Sequence, residues 1–274
     1  MTFSVVARSA DGRSVGVAVA SRFLAVGAYV PAAGVGAGAL ATQAWANLAY
    51  RPEGLALLRS GLSPEQTVRR LVDADEQRAE RQLGVVAWDG EGATYTGDGC
   101  LPWAGGAAGD GYAIQGNILT GPEVVDAMRD AWLSGDPEAP LARRLLAVLT
   151  AGDGAGGDRR GRQSAALLVV RQDGGYGGTS DVEADLRVDD SPAPVQELAR
   201  LLDLHDLYFG RPDPATLLDL TGELAAEVTE RLARLGHHGT LDAALDQWAG
   251  IENLEERLVP GRIDPVVLDL LRKA

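Results

Sequence analysis

Apolar and polar positions alternate with period two over Thr2–Arg8 and run apolar over Ser14–Ser21, on either side of Asp11-Gly12. The pair predicts a β-hairpin opening the chain. From Phe23 to Tyr50 no residue is charged. That length invites a membrane-span reading, but Pro31 and Gly27, Gly34, Gly36 and Gly38 break any helix, so buried strands interrupted at Pro31 are expected, with Gly34–Gln43 the next strand. Helices follow at Pro52–Arg59 and, from the capping-box sequence Ser63-Pro64-Glu65-Gln66, to about Asp73. Strands resume at Gln82–Trp88, Gly92–Thr96 and Gly111–Leu119. Two helices come next (Pro122–Leu133, Pro140–Leu149), then strands at Ser164–Arg171 and Ala184–Val188. Val195–Tyr208 reads as a helix, and everything past Pro212 as short helices without a strand signal. Strands and helix pairs in this order fit an α+β layered sandwich better than a doubly wound fold. The boundary falls at 209/210, giving a large domain over 1–209 and a small all-α domain over 210–274.

The chain has 274 residues and 46% hydrophobic content, enough for a sizeable core. A formal net charge of −14 speaks against nucleic-acid and anionic-membrane partners. The single cysteine, Cys100, forms no internal disulfide, and no signal segment is read, so a cytoplasmic location is expected. Cys100 has no histidine in its domain to activate it and is read as structural or pocket-lining. The Gly-rich stretch 97–111 around it reads as a pocket loop.

The three histidines, His205, His237 and His238, all lie in the last third, and the one lysine is Lys273. The first ~200 residues therefore hold no Ser-His-Asp or Cys-His site, no zinc-histidine site and no Schiff-base lysine. No metal or cofactor is expected. The remaining general base at neutral pH is the chain's own α-amine, which titrates near ~7.7–8.0. Thr2 follows Met1, and methionine aminopeptidase trims Met1 before a side chain this small. Trimming would place a hydroxyl nucleophile and its base on one residue.

Other polar positions gather around that possibility. Ser21 and Arg22 leave the second strand, suited to orient the nucleophile or to bind a substrate carboxylate. Gln43, in Thr42-Gln43-Ala44-Trp45-Ala46-Asn47, suits a pocket wall, with strand-end hydrogen bonding the competing reading. Gln115 and Asn117 lie where a strand turns toward the helix at Pro122; the Asn117 amide and nearby backbone N–H groups are candidates for an oxyanion hole. In Gly156–Ser164, Asp158 is a candidate to fix Arg22 or the new α-ammonium, Ser164 to bond the amine, and Arg160 to meet substrate. A plain arginine-rich loop is the competing reading.

Thr2–Arg8, Gly16–Arg22, Gly38–Ala46, Gln115–Met128 and Gly156–Val170 together resemble a bacterial domain-of-unknown-function family placed among N-terminal-nucleophile (Ntn) hydrolase-like proteins. The resemblance covers roughly residues 1–205. It implies a four-layer αββα sandwich with Thr2 in the nucleophile position. Asp158 with Ser164 is similar to the aspartate-and-serine pair of proteasome-like chains, whereas the lysine those sites use has no counterpart in this domain. The implied activity is hydrolysis of a small-molecule amide or amide-like bond, and the resemblance admits a homo-oligomer. The tail, at 245–255 and Ile263-Asp264-Pro265, resembles a peptidoglycan-binding module. Trp248 there is read as a core anchor, and with no export signal intact cell wall is set aside as its ligand. The alternative function is a non-catalytic Ntn-fold binding or assembly protein whose tail takes a cell-wall-derived ligand.

Overall fold

The computed structural model describes residues 2–274. The chain forms two compact units, the first ending at Leu202 and the second Asp203–Ala274.

In the first unit, β1 (Thr2–Arg8) and β2 (Ser14–Ser21) form the expected hairpin. They sit at the middle of a six-stranded antiparallel sheet with β7 (Gly105–Gly109), β8 (Tyr112–Asn117), β9 (Ser164–Arg171) and β10 (Val182–Val188), in the order β10-β9-β2-β1-β8-β7. A second antiparallel sheet orders β3 (Pro31–Gly34), β4 (Gly38–Ala44), β5 (Arg81–Ala87) and β6 (Gly92–Thr96).

Period-two alternation decides what each face meets. On β1, Phe3, Val5 and Ala7 face a core built with α3 (Glu123–Ser134), α4 (Leu141–Gly154) and the first half of α5 (Pro194–Phe209), including Met128, Leu145, Leu149 and Leu198. Val6 with Val15, Val17 and Val19 of β2 faces Ala39, Ala41 and Val86 of the smaller sheet. That sheet's other face, with Leu40, Leu83 and Val85, is covered by α1 (Tyr50–Arg59) and α2 (Pro64–Asp73). Two helix layers thus enclose two facing sheets. At α2 the capping box forms as its sequence predicts: Gln66 N–H donates to Ser63 Oγ and Ser63 N–H to Gln66 Oε1.

The coarse expectation of an α+β fold with antiparallel sheets and a small helical C-terminal region holds. Three details differ. The uncharged stretch does not break at Pro31; Pro31 begins β3, and the reversal comes at Gly34–Gly38. Phe23–Val30 is irregular and contains one 3-10 turn. Gly38 adopts φ +139°, and a Cβ there would lie 2.2 Å from Val86 O, so the reversal requires glycine. The stretch read as a pocket loop contains β7, an edge strand of Gly and Ala with no side-chain pattern to announce it.

In the second unit, α6 (Gly222–Arg234), α7 (Leu241–Glu252) and α8 (Pro265–Lys273) close on a core of Val228, Leu232, Leu245, Trp248, Val267 and Leu271. Trp248 is buried there. The tail is not free of strands: β11 (Leu218–Asp219) pairs with β12 (Arg262–Ile263). Two-residue strands are too short to show a period. Among the described residues no helix is long and apolar enough to cross a membrane.

Candidate functional site

Thr2 lies at the start of central strand β1, opposite Asn117 of β8, and is buried. By alternation its side chain shares the inter-sheet face with Ser4 and Val6. Its Oγ1 is 3.2 Å from the Ser21 hydroxyl at the end of β2. Thr2 and Ser21 are therefore brought together, as expected from the sequence.

Beneath them the two sheets exchange amide hydrogen bonds. Ser4 Oγ donates to Gln43 Oε1 at 2.7 Å and accepts from Gln115 Nε2 at 2.6 Å. Gln43 Nε2 donates to Gln82 Oε1 at 2.8 Å and reaches the Thr2 and Gln115 carbonyls at 3.3 Å. Gln82 Nε2 donates to the Gly116 carbonyl and to Thr96 Oγ1. Asn117 Nδ2 donates to Gln82 Oε1 at 2.8 Å. All five of Ser4, Gln43, Gln82, Gln115 and Asn117 are buried. Buried amides of this kind are tolerated because each finds partners. The fit is close: a Cβ on Gly84 would lie 1.9 Å from Gln115 Oε1. Ser4 and Gln82 were not singled out from the sequence. Both sit on the inward face of strands otherwise apolar there, which is the one signal that marks them.

The expected oxyanion donors are engaged elsewhere. The Asn117 amide bonds Gln82, and the N–H groups of Ile118, Leu119 and Thr120 donate to the carbonyls of Leu101, Trp103 and Gly157.

Asp158 is buried and ties loop to strand. It accepts from the Arg22 backbone N–H at 2.7 Å and from Arg160 N–H at 2.8 Å, and it pairs with the Arg160 guanidinium at 3.2 Å. It fixes the backbone of Arg22, not its guanidinium, which donates to the Arg160 carbonyl. Ser164 is not aimed at Thr2. Its hydroxyl donates to the Phe23 carbonyl and accepts from Val26 N–H, pinning the turn after β2.

Next to Ser21 lies a cavity of about 80 Å³, lined in part by Phe3, Asp153, Asp158, Gly161 and Arg162. Arg162 Nε donates to Asp153 Oδ1 at 2.7 Å, which raises the guanidinium's affinity for its proton. A larger groove of about 840 Å³ runs past Arg59, Trp88 and Ala87. It lies at the Gly38–Ala87 end of the smaller sheet, whereas Gln43 pairs with Gln82 at the end nearer Thr2. This groove and the Thr2 constellation are thus separate.

Cys100 Sγ donates to the Arg81 carbonyl, and burial pushes its thiol up, away from the thiolate. Asp75 accepts from Arg81, Asn47 and Tyr50; the Arg81 guanidinium first among these holds its carboxyl well below the usual carboxylate range, and burial raises the Tyr50 phenol. No local pattern in the sequence marks this tie. Among the described residues no group of three His, Cys, Asp or Glu side chains is placed to hold a metal ion.

With this geometry in view, comparison with known proteins is informative. The model "Family of unknown function (DUF1028)" matches residues 2–198. The chain belongs to this family. The model "Putative peptidoglycan binding domain" matches residues 208–271. A solved structure, protein SPO2555 from Silicibacter pomeroyi, described with the same DUF1028 family, is 30% identical, with 82% of this chain and 92% of that chain covered and a TM-score of 0.67. Among curated proteins none matches. The DUF1028 match begins at Thr2, so the strand carrying the candidate nucleophile is part of what the family shares.

Proposed function

We propose that the first unit is an Ntn-type αββα sandwich and that Thr2, once the bond before it is cut, hydrolyses a small amide. The observation carrying this reading is the buried Thr2 Oγ1 set 3.2 Å from Ser21 Oγ at the head of the central strand. Thr2 Oγ attacks the amide carbonyl carbon while the freed α-amine takes the hydroxyl proton. That proton passes to the leaving nitrogen as the C–N bond breaks, leaving an acyl ester on Thr2. Water activated by the same amine then releases the acid and restores the hydroxyl. Ser21 orients the nucleophile, and the Gln43 amide holds the Thr2 carbonyl in place. Trimming by a methionine aminopeptidase places this chemistry in the cytoplasm.

Intact-mass measurement together with an amide-hydrolysis screen tests the reading. Loss of the Met1 mass and an activity abolished in Thr2→Ala are expected. A retained Met1, or turnover unchanged in Thr2→Ala, defeats it.

A second reading, a non-catalytic binding or assembly protein, is favoured by one observation: the N–H groups at 118–120 are already bonded and the Asn117 amide spends a donor on Gln82. In that reading the second unit, through its peptidoglycan-binding likeness, takes a cell-wall-derived fragment. Calorimetry with soluble muropeptides checks this, and no heat of binding refutes it.

A further inference from the structure

The cavity beside Ser21 is lined by one guanidinium, Arg162, and two carboxylates, Asp153 and Asp158, and Arg160 and Arg22 lie beside it, bonded to Asp158 and to the Arg160 carbonyl. Asp158 is matched by Arg160 and by two backbone N–H groups, and Asp153 is matched by Arg162. No carboxylate pairs with Arg22 among the described residues. Its Nη1 lies over cavity-lining Gly161, where a Cβ would come within 3.3 Å of it, so the exposed guanidinium stands beside the cavity. Gly161 is also at φ +105°, a backbone conformation that favours glycine and keeps that approach open.

Size narrows the guest. About 80 Å³ is roughly the share of two to three waters at ~30 Å³ each, and about half of a cavity that holds benzene. A short polar group fits, and a peptide side chain of aromatic size does not. A guanidinium without its own carboxylate is suited to grip a carboxylate in a forked pair.

We propose that this site selects a small carboxylate-bearing amide, with the carboxylate held by Arg22 beside the Ser21–Asp158–Arg162 cavity and the amide carbonyl reaching around the end of β2 at Ser21 toward Thr2. Only the fate of the bound amide rests on Thr2 being the nucleophile; recognition of the carboxylate does not.

The test uses a matched pair, succinamate and its neutral diamide succinamide, on the full chain. Binding is measured calorimetrically on Thr2→Ala, and hydrolysis on the unaltered sequence. Succinamate is expected to bind at least 10-fold more tightly than succinamide, to lose that advantage in Thr2→Ala/Arg22→Gln, and to weaken as salt is raised. An unchanged thermal midpoint in the Arg22→Gln protein shows that the fold is intact. Equal affinity for the two compounds, affinity for neither, or a preference that survives Arg22→Gln overturns the proposal. The two readings fail separately. Succinamate bound but never hydrolysed sinks the Thr2 mechanism alone. Thr2-dependent hydrolysis of neutral and acidic amides at equal rates sinks the acidic-substrate proposal alone.

Discussion

The space between the two sheets has two ends made from the same strands. At one end Val6, Val15, Val17, Val19, Ala39, Ala41 and Val86 interlock without a polar atom. At the other, two to four residues along those strands, stand Thr2, Ser4, Ser21, Gln43 and Gln82, all buried and hydrogen-bonded. The same antiparallel pairing runs through both ends, so strand formation does not by itself explain the change. Apolar side chains would have held the sheets together with less desolvation cost. The polar end is therefore best understood as a rigid seat for the start of β1, which is where the candidate nucleophile lies.

The largest expected effect breaks that seat. Gln82→Leu strips acceptors from Gln43 and Asn117 and a donor from the Gly116 carbonyl. Unmet buried groups cost about 1–3 kcal/mol each, so a loss of about 3 kcal/mol is expected in urea unfolding. A neutral result would show that the network contributes nothing. Val17→Ala at the apolar end removes two methyl groups from close packing and is expected to lose about 2 kcal/mol by the same measurement.

A third effect appears only in acid. Asp75 is half-buried beside Arg81 with its carboxyl held below the ordinary value. A depressed folded-state pKa contributes stability above the unfolded value near ~3.9 and loses it as pH falls through the folded value. The stability gap between the unaltered sequence and Asp75→Asn should be constant above about pH 5 and shrink below about pH 4. A gap independent of pH would remove Asp75 from the account. The smallest effect on folding is expected for Thr2→Ala, about 1 kcal/mol or less, since Oγ1 has Ser21 as its side-chain partner. Large losses on replacing the seat and almost none on replacing its occupant would sharpen the contrast between the two roles.

Legibility followed the same physics. The hairpin at Asp11-Gly12, the capping box at Ser63, and the helices ending near Arg59 and Asp73 were readable because each is decided within a few residues. The strand Gly105–Gly109 was not, because Gly and Ala carry no facing preference and only pairing with β8 makes it a strand. In the site, Thr2 was readable from its place after Met1 and Ser21 as a hydroxyl leaving the second hairpin strand. Ser164 and Asn117 were placed by type, and the fold directs their hydrogen bonds to the Phe23 carbonyl and to Gln82.

The sequence by itself determined the alternation of faces, the α+β order of elements, and the absence of histidine and lysine from the first ~200 residues that narrows the chemistry there to a hydroxyl and an amine. Only the tertiary structure decided which polar side chains share a site. Gln43, Gln82 and Gln115 meet across strands 33 to 72 residues apart, by a stacking of two sheets that no local pattern encodes. Period and propensity act over a few residues, whereas the bonds that seat Thr2 are made between layers.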